Sequence, residues 1–234
     1  MRHPVHPTRS PLRLQRRCPD ARGNRQLHHV EADLKREALR FIAITDEPGE
    51  SIDAVLAWAQ AVVRGGATMV QLRAKLLSSR ELLSLTRVLV RELRVPLIVN
   101  DRADVAILAG AAGVHLGADD LPVEKVRPLA PGGFIIGASL GSDEELAGVR
   151  GADYVGVGPV YDTASKPGAG SALGPVEAVR LIRASGLPGV AIGGVTALNA
   201  REVIDAGADG IAVLSAVSAN PQSAARALRS AIEK

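Results

Sequence analysis

Residues 96–117, Pro-Leu-Ile-Val-Asn-Asp-Arg-Ala-Asp-Val-Ala-Ile-Leu-Ala-Gly-Ala-Ala-Gly-Val-His-Leu-Gly, decide the fold. A short apolar run, Pro96–Val99, stops at Asn100 and Asp101. A helical segment follows from near Arg102, and a second short run, Gly113–His115, leads towards Asp119 and Asp120. Neither run alternates apolar with polar residues, as expected of strands buried on both faces. The same strand–turn–helix unit recurs along the chain. Strands read at Phe41–Thr45, Met69–Leu72, Pro96–Val99, Gly113–His115, Phe134–Ala138, Tyr154–Val157, Val190–Ile192 and Gly210–Leu214. Helical patterns lie at Ile52–Arg64, Arg80–Leu93, Val123–Leu129, Asp143–Val149, Pro175–Ala184, Asn199–Ala206 and Pro221–Ile232. Ser79 and Ser142 read as N-caps, and Pro175 and Pro221 suit first helical turns. Eight such units predict an α/β protein with a single (β/α)8 TIM barrel over 39–234. A doubly wound open sheet is the rival, because alternation of elements does not decide closure.

Bulk properties bound the answer. The chain has 234 residues and is 47% hydrophobic, so a sizeable core can form. Aromatics are only 2%, so Val, Ile, Leu and Ala must build it. The single cysteine, Cys18, excludes an internal disulfide and points to a reducing, cytoplasmic setting. No run is long and apolar enough for a membrane span, and the first residues lack a signal-peptide core. Charge is uneven: residues 1–36 carry nine Lys/Arg and three Asp/Glu, net +6, against −3 for the remaining 198. Residues 1–38 therefore read as a basic, disordered extension, with no aromatic interleaving to suggest nucleic-acid binding.

The polar residues fall at the ends of strands. Gln71, Arg73 and Lys75 occupy alternate positions behind the second apolar run, which places them on one side of an extended segment. Arg offers a fork to phosphate oxygens and Lys a point charge. Asp101 and one of Asp119 and Asp120 could hold a hard cation such as Mg2+, with helix capping as the lesser alternative for each. His115 reads as a packed, hydrogen-bonded strand-end residue, since a hard cation prefers oxygen. A long loop from Gly158 to Gly168 carries Thr163, Ser165 and Lys166 and reads as a substrate-covering flap. Gly193-Gly194 and Leu214-Ser215 end the last two strands, where barrels often bind phosphate. No GxxxxGK sequence is present, which argues against a P-loop nucleotide site. In a barrel all these groups meet at the C-terminal mouth.

Taken in order, Ile44-Thr-Asp46, Val70-Gln-Leu-Arg-Ala-Lys75, Val99-Asn-Asp101, Gly113-Val-His-Leu-Gly-Ala-Asp-Asp120, Gly137-Ala-Ser139, Gly156-Val-Gly-Pro-Val-Tyr161, Thr163-Ala-Ser-Lys166, Ala191-Ile-Gly-Gly194 and Leu214-Ser-Ala216 resemble the thiamine-phosphate synthase family. The resemblance spans about 40–234. It implies a cytoplasmic (β/α)8 barrel with homodimers as the family's common assembly. The implied reaction joins hydroxymethylpyrimidine diphosphate to a thiazole phosphate or its carboxylate, giving thiamine monophosphate and pyrophosphate with Mg2+. The implied partners are thus small phosphorylated substrates, with neither nucleic acid nor membrane. It further implies that Gln71, Arg73 and Lys75 hold the pyrimidine diphosphate, with Asn100 and Lys166 beside it. Asp101 and Asp120 would ligate Mg2+, and Ser139 would contact the pyrimidine or the leaving group. Thr163, Ser165, Gly194, Leu214 and Ser215 would bind the thiazole phosphate, and Arg73, Lys75, Lys166 and Ser139 would carry catalysis.

The chain departs from the family pattern at several positions. Ala74 stands where an acid is usual, Ala118 where Gln is common, Leu140-Gly141 where a polar pair is usual, Asp162 where Pro is common and Ser165 where Thr is common. Two rival readings remain: a thiazole tautomerase, whose branch uses a His after the fifth strand, and a non-catalytic barrel that binds thiamine precursors. Gly141 occupies the tautomerase position.

Overall fold

The computed structural model describes residues 36–47, 51–163 and 171–233. Eight parallel strands close into a barrel in chain order. They are β1 (Phe41–Ile44), β2 (Met69–Leu72), β3 (Leu97–Asn100), β4 (Gly113–Leu116), β5 (Ile135–Leu140), β6 (Tyr154–Val157), β7 (Gly189–Ile192) and β8 (Gly210–Val213). Closure is made by β1 against β8, with Phe41, Ile42 and Ala43 in register with Ile211, Ala212 and Val213. The open doubly wound alternative is thereby excluded.

Helices cover the outside: α1 (Ile52–Arg64), α2 (Ser79–Glu92), α3 (Ala103–Ala109), α4 (Val123–Val126), α5 (Gly174–Ser185), α6 (Ala200–Ala206) and α7 (Pro221–Glu233). The helical turn expected at Asp143–Val149 is a 3-10 turn over Asp143–Ala147, and Val123–Leu129 is α4 followed by a 3-10 turn at Arg127–Leu129. Pro128 explains the second case, because it supplies no N–H to an α-helical ladder. The folded unit also reaches slightly beyond the expected boundary at 39, since residues 36–39 are helical. Residues 1–35, on which the expected basic extension falls, lie outside the described residues. No helix among the described residues is long and apolar enough to cross a membrane.

The strands do alternate, but between two apolar layers rather than between oil and water. Phe41, Ala43, Val70, Leu72, Val99, Val114, Leu116, Ile136, Val155 and Val157 belong to the layer shared with the helices. Ile42, Ile44, Met69, Ile98, Tyr154, Val190 and Ala212 form a second, smaller cluster that fills the barrel. Both faces are buried, so the hydropathy of the sequence shows no period of two. By the same parity Gln71, Asn100, His115 and Ser139 stand one step above the interior cluster, towards the mouth.

The turn from β2 into α2 is fixed by a capping box. Ser78, not Ser79, is the N-cap: its hydroxyl accepts from the Glu81 backbone N–H, and the Glu81 carboxylate accepts from the Ser78 N–H at 2.9 Å. Ser142 occupies an N-cap position without capping its 3-10 turn. The Ser78 hydrogen bonds hold the Glu81 carboxyl below its ordinary range. That contribution is present above the ordinary glutamate range and is lost as pH falls through the lowered value. Ser78→Ala is expected to cost about 1 kcal/mol, lowering the melting temperature by about 2–4 °C at neutral pH. Ser79→Ala is expected to shift it by less. Thermal denaturation of the two variants, repeated at acid pH where the gap should narrow, checks the assignment.

Candidate active site

The second strand is pinned to the first at its exit. The buried Thr45 hydroxyl accepts from the Arg73 N–H at 2.8 Å and donates to the Arg73 carbonyl at 2.9 Å. Just beyond, the Glu47 carboxylate accepts from the Lys75 N–H at 2.9 Å, the Leu76 N–H at 3.3 Å and the Arg73 guanidinium at 3.1 Å. One side chain from the end of β1 thus gathers the basic loop after β2. Glu47 was not among the residues the sequence singled out. The available signal was an acid two positions past Thr45 with no apolar pattern to place it. Ala74, which stands in the usual place of an acid, packs against the helix-side apolar layer.

Lys75 reaches across to β3, its Nζ lying 3.3 Å from Asp101 Oδ2. Gln71 Nε2 donates to Asn100 Oδ1 at 2.8 Å, joining the same two strands one layer lower. Asp101 is the one non-glycine residue with positive φ among the described residues, at 64°. This region disfavours L side chains, and Asp and Asn are among those that tolerate it. The conformation is held by a hydrogen bond from the Asp101 N–H to the His115 carbonyl at 2.8 Å. Capping does not explain Asp101, because the position before α3 is Arg102 and no side chain caps it. Nor does it explain Asp120: Pro122 precedes α4, also without a side-chain cap. Asp120 Oδ2 instead accepts from the Gly117 N–H at 2.6 Å, folding the turn after β4 back on itself.

These two turns bring the Asp101 and Asp120 carboxyls close enough to act on each other electrostatically. Burial and then the neighbouring Asp120 carboxyl push the Asp101 pKa up, while Lys75 opposes the shift. Two half-buried carboxylates facing each other, with a single ammonium for compensation, form a donor set lacking positive charge. That is the chemistry a hard divalent cation satisfies, with substrate oxygens and water completing its shell. The residues present therefore fit Mg2+. Asp119 is exposed and Asp120 is not, so the geometry favours Asp120 of the pair.

On the next strands His115 bonds Tyr154 through Nδ1 at 3.1 Å and Ser139 through Nε2 at 3.2 Å. His115 is thus the packed, hydrogen-bonded strand-end residue that its position suggested. Two glycines make room for this contact. Gly137 pairs with His115 on one side and Tyr154 on the other, and a Cβ there would lie 2.5 Å from the Tyr154 hydroxyl. A Cβ at Gly156 would lie 3.1 Å from the His115 ring. Tyr154 was read from sequence only as the start of a strand; in a chain with two tyrosines its scarcity was the signal.

The remaining described residues follow β5, β6, β7 and β8. Gly193 and Gly194 both have positive φ, at 92° and 66°. Gly193 accepts from the Tyr161 N–H and Gly194 from Asn199 Nδ2, which ties the loop after β6 to the loop after β7. Leu214 packs against the interior cluster, and Ser215 opens a 3-10 turn after β8. Thr163 lies at the end of the described part of the loop after β6, and Asp162 beside it is exposed. Ser165 and Lys166 lie outside the described residues. Gly141 donates its N–H to Glu145 at 2.6 Å, closing the turn after β5.

Comparison with known proteins places the chain in a family. Residues 41–217 match a family model described as thiamine monophosphate synthase. A thiamine-phosphate synthase of Methanoculleus marisnigri is 51% identical over 183 residues, covering 74% of this chain and 86% of that protein. One from Coprothermobacter proteolyticus is 45% identical over 211 residues, 87% of this chain and 99% of that protein. The solved thiamine phosphate pyrophosphorylase of Pyrococcus furiosus superposes with a TM-score of 0.74 at 36% identity, covering 85% of this chain and 98% of that one. With its closed barrel, paired carboxylates and basic loop at the mouth, this chain belongs to the thiamine monophosphate synthase family.

Proposed function

We propose that the barrel mouth joins hydroxymethylpyrimidine diphosphate to a thiazole phosphate, or its carboxylate, giving thiamine monophosphate and pyrophosphate with the help of Mg2+. The observation that carries the reading is the Lys75–Asp101–Asp120 constellation beside Arg73, in a chain of this family. Asp101 and Asp120 would hold the cation. The chemistry a bound Mg2+ supplies is neutralisation of charge on the departing pyrophosphate.

The chain's own residues do the rest. Arg73 and Lys75 bind the diphosphate, exchanging their present carboxylate partners for phosphate oxygens. Gln71 and Asn100, already fixed to each other, offer amide groups to the pyrimidine side. Lys166 completes the clamp. Thr163, Gly194, Leu214 and Ser215 take the thiazole phosphate, several through backbone N–H groups, and the family resemblance adds Ser165. As the carbon–oxygen bond breaks, positive charge spreads into the aminopyrimidine ring while the pyrophosphate gathers negative charge. Fixed cations aimed at that oxygen stabilise the transition state more than a general base could. The thiazole nitrogen attacks with its own lone pair and has no proton to lose. A Ser/His/Asp triad is therefore not needed.

A coupling assay on the full chain tests the reading. It combines the two substrates with Mg2+ and follows pyrophosphate release. Turnover is expected, and chelation should abolish it reversibly. Asp101→Asn, chosen because Asn tolerates the same backbone conformation, should lower turnover by about a hundredfold or more. No turnover with the thiazole phosphate still bound would overturn the reading in favour of a precursor-binding or tautomerase-like barrel.

The same substitution should act on stability in the opposite sense. A carboxyl whose pKa is raised in the fold destabilises the native state at neutral pH, and the penalty disappears as pH falls through the raised value. Without metal, Asp101→Asn is thus expected to raise the melting temperature. Calorimetry in chelator at neutral pH, repeated near pH 4 where the gain should shrink, checks the sign.

A further inference from the structure

The hydrogen-bond chain through β6, β4 and β5 has a direction. The Tyr154 hydroxyl is fully buried, and among the described residues its hydrogen bond runs to His115 Nδ1 at 3.1 Å. A buried hydroxyl proton left without an acceptor is costly, so the phenol donates and Nδ1 accepts. A neutral imidazole that accepts at Nδ1 carries its proton on Nε2. Nε2 then donates to Ser139 Oγ at 3.2 Å. A serine hydroxyl that accepts from its neighbour has its own proton to give elsewhere. Ser139 stands near the C-terminal end of β5, one layer above the interior cluster, so that proton is available at the mouth.

We infer that Tyr154 is a positioning residue: by fixing the His115 tautomer it turns Ser139 into a hydrogen-bond donor towards the substrate. The atom that the Ser139 hydroxyl proton reaches is thus an acceptor, a diphosphate oxygen or a ring nitrogen. The architecture is dedicated to this contact. Gly137 and Gly156 stand in register between the three side chains, and the two rings lie 5.6 Å apart with an interplanar angle of 42°. Burial also pushes the Tyr154 phenol up, away from ionisation. The inference about the substrate rests on the coupling reaction proposed above; the inference about the tautomer does not.

Nitrogen NMR of the full chain with labelled histidine reads the tautomer, the His115 signals being assigned by their loss in His115→Gln. The neutral ring is expected to carry its proton on Nε2, and Tyr154→Phe should move the population towards the Nδ1–H form. In the coupling assay Tyr154→Phe should lower kcat about tenfold, with KM for both substrates changed by less than about twofold. In a Ser139→Ala background the same change should have no further effect on kcat, because its influence passes through the lost hydroxyl. An Nδ1–H tautomer in the unmodified protein would overturn the inference, as would a Tyr154→Phe loss of equal size with and without Ser139. Should the unmodified chain catalyse no coupling, that failure belongs to the proposed reaction, and the tautomer still decides the direction of the chain.

Discussion

Hydrogen bonding between β1 and β8 closes the sheet, and everything at the mouth depends on that closure. Once the ring is shut, every strand is buried on both faces and side chains can only alternate between the interior and the helix layer. The interior of an eight-stranded barrel has room for one side chain per inward position, so it fills with Ile42, Ile98, Tyr154 and their neighbours. Polar residues one step further on are lifted to the rim by the same parity. Gln71, Asn100, His115 and Ser139 need no separate device to converge. They converge because they sit on neighbouring strands at the same height.

On that frame the site is built by opposing electrostatic preferences. Asp101 and Asp120 repel one another, and the repulsion is tolerated because Lys75 lies against the first and the turn N–H of Gly117 against the second. Arg73 is likewise held by Glu47. Each charged group is thus matched with a partner that a diphosphate and a divalent cation could displace together. Lys75 is exposed, so its pair with Asp101 is weakly held, whereas Arg73 and Glu47 are more enclosed. The backbone of Asp101, in contrast, is set in a sparsely populated region by the His115 carbonyl. The geometry is fixed by backbone hydrogen bonding where the carboxylates meet and by side-chain ion pairs where the cations lie.

Much of the fold was legible in the sequence because repetition carries it. Helix Ile52–Arg64 and strands Met69–Leu72 and Tyr154–Val157 fall on the expected residues. The misplaced cap shows what was overlooked: Ser78 and Glu81 form the Ser-x-x-Glu pattern that picks the first of two adjacent serines. The 3-10 turns at 127–129 and 143–147 were harder to foresee, since a hydrophobic pattern over five or seven residues fits either helix type. Within the site, residues lying directly behind strands were found, because position and chemistry agreed. Glu47 and Tyr154 were not. Glu47 acts on a loop 28 residues away, and Tyr154 acts on a histidine 39 residues away; only strand order makes either contact local.

The space that Gly137 provides has a consequence for how this site can change over time. It looks like a backbone requirement, yet what forbids a methyl group there is the tip of the Tyr154 ring. Substitution at the two positions is therefore ordered. A smaller residue at 154 can arise while 137 is still glycine, whereas alanine at 137 must wait until the ring has gone. Once both have occurred, restoring the tyrosine alone would place its hydroxyl against the new methyl group. Return is therefore ordered as well: glycine must be restored at 137 before the ring can come back at 154.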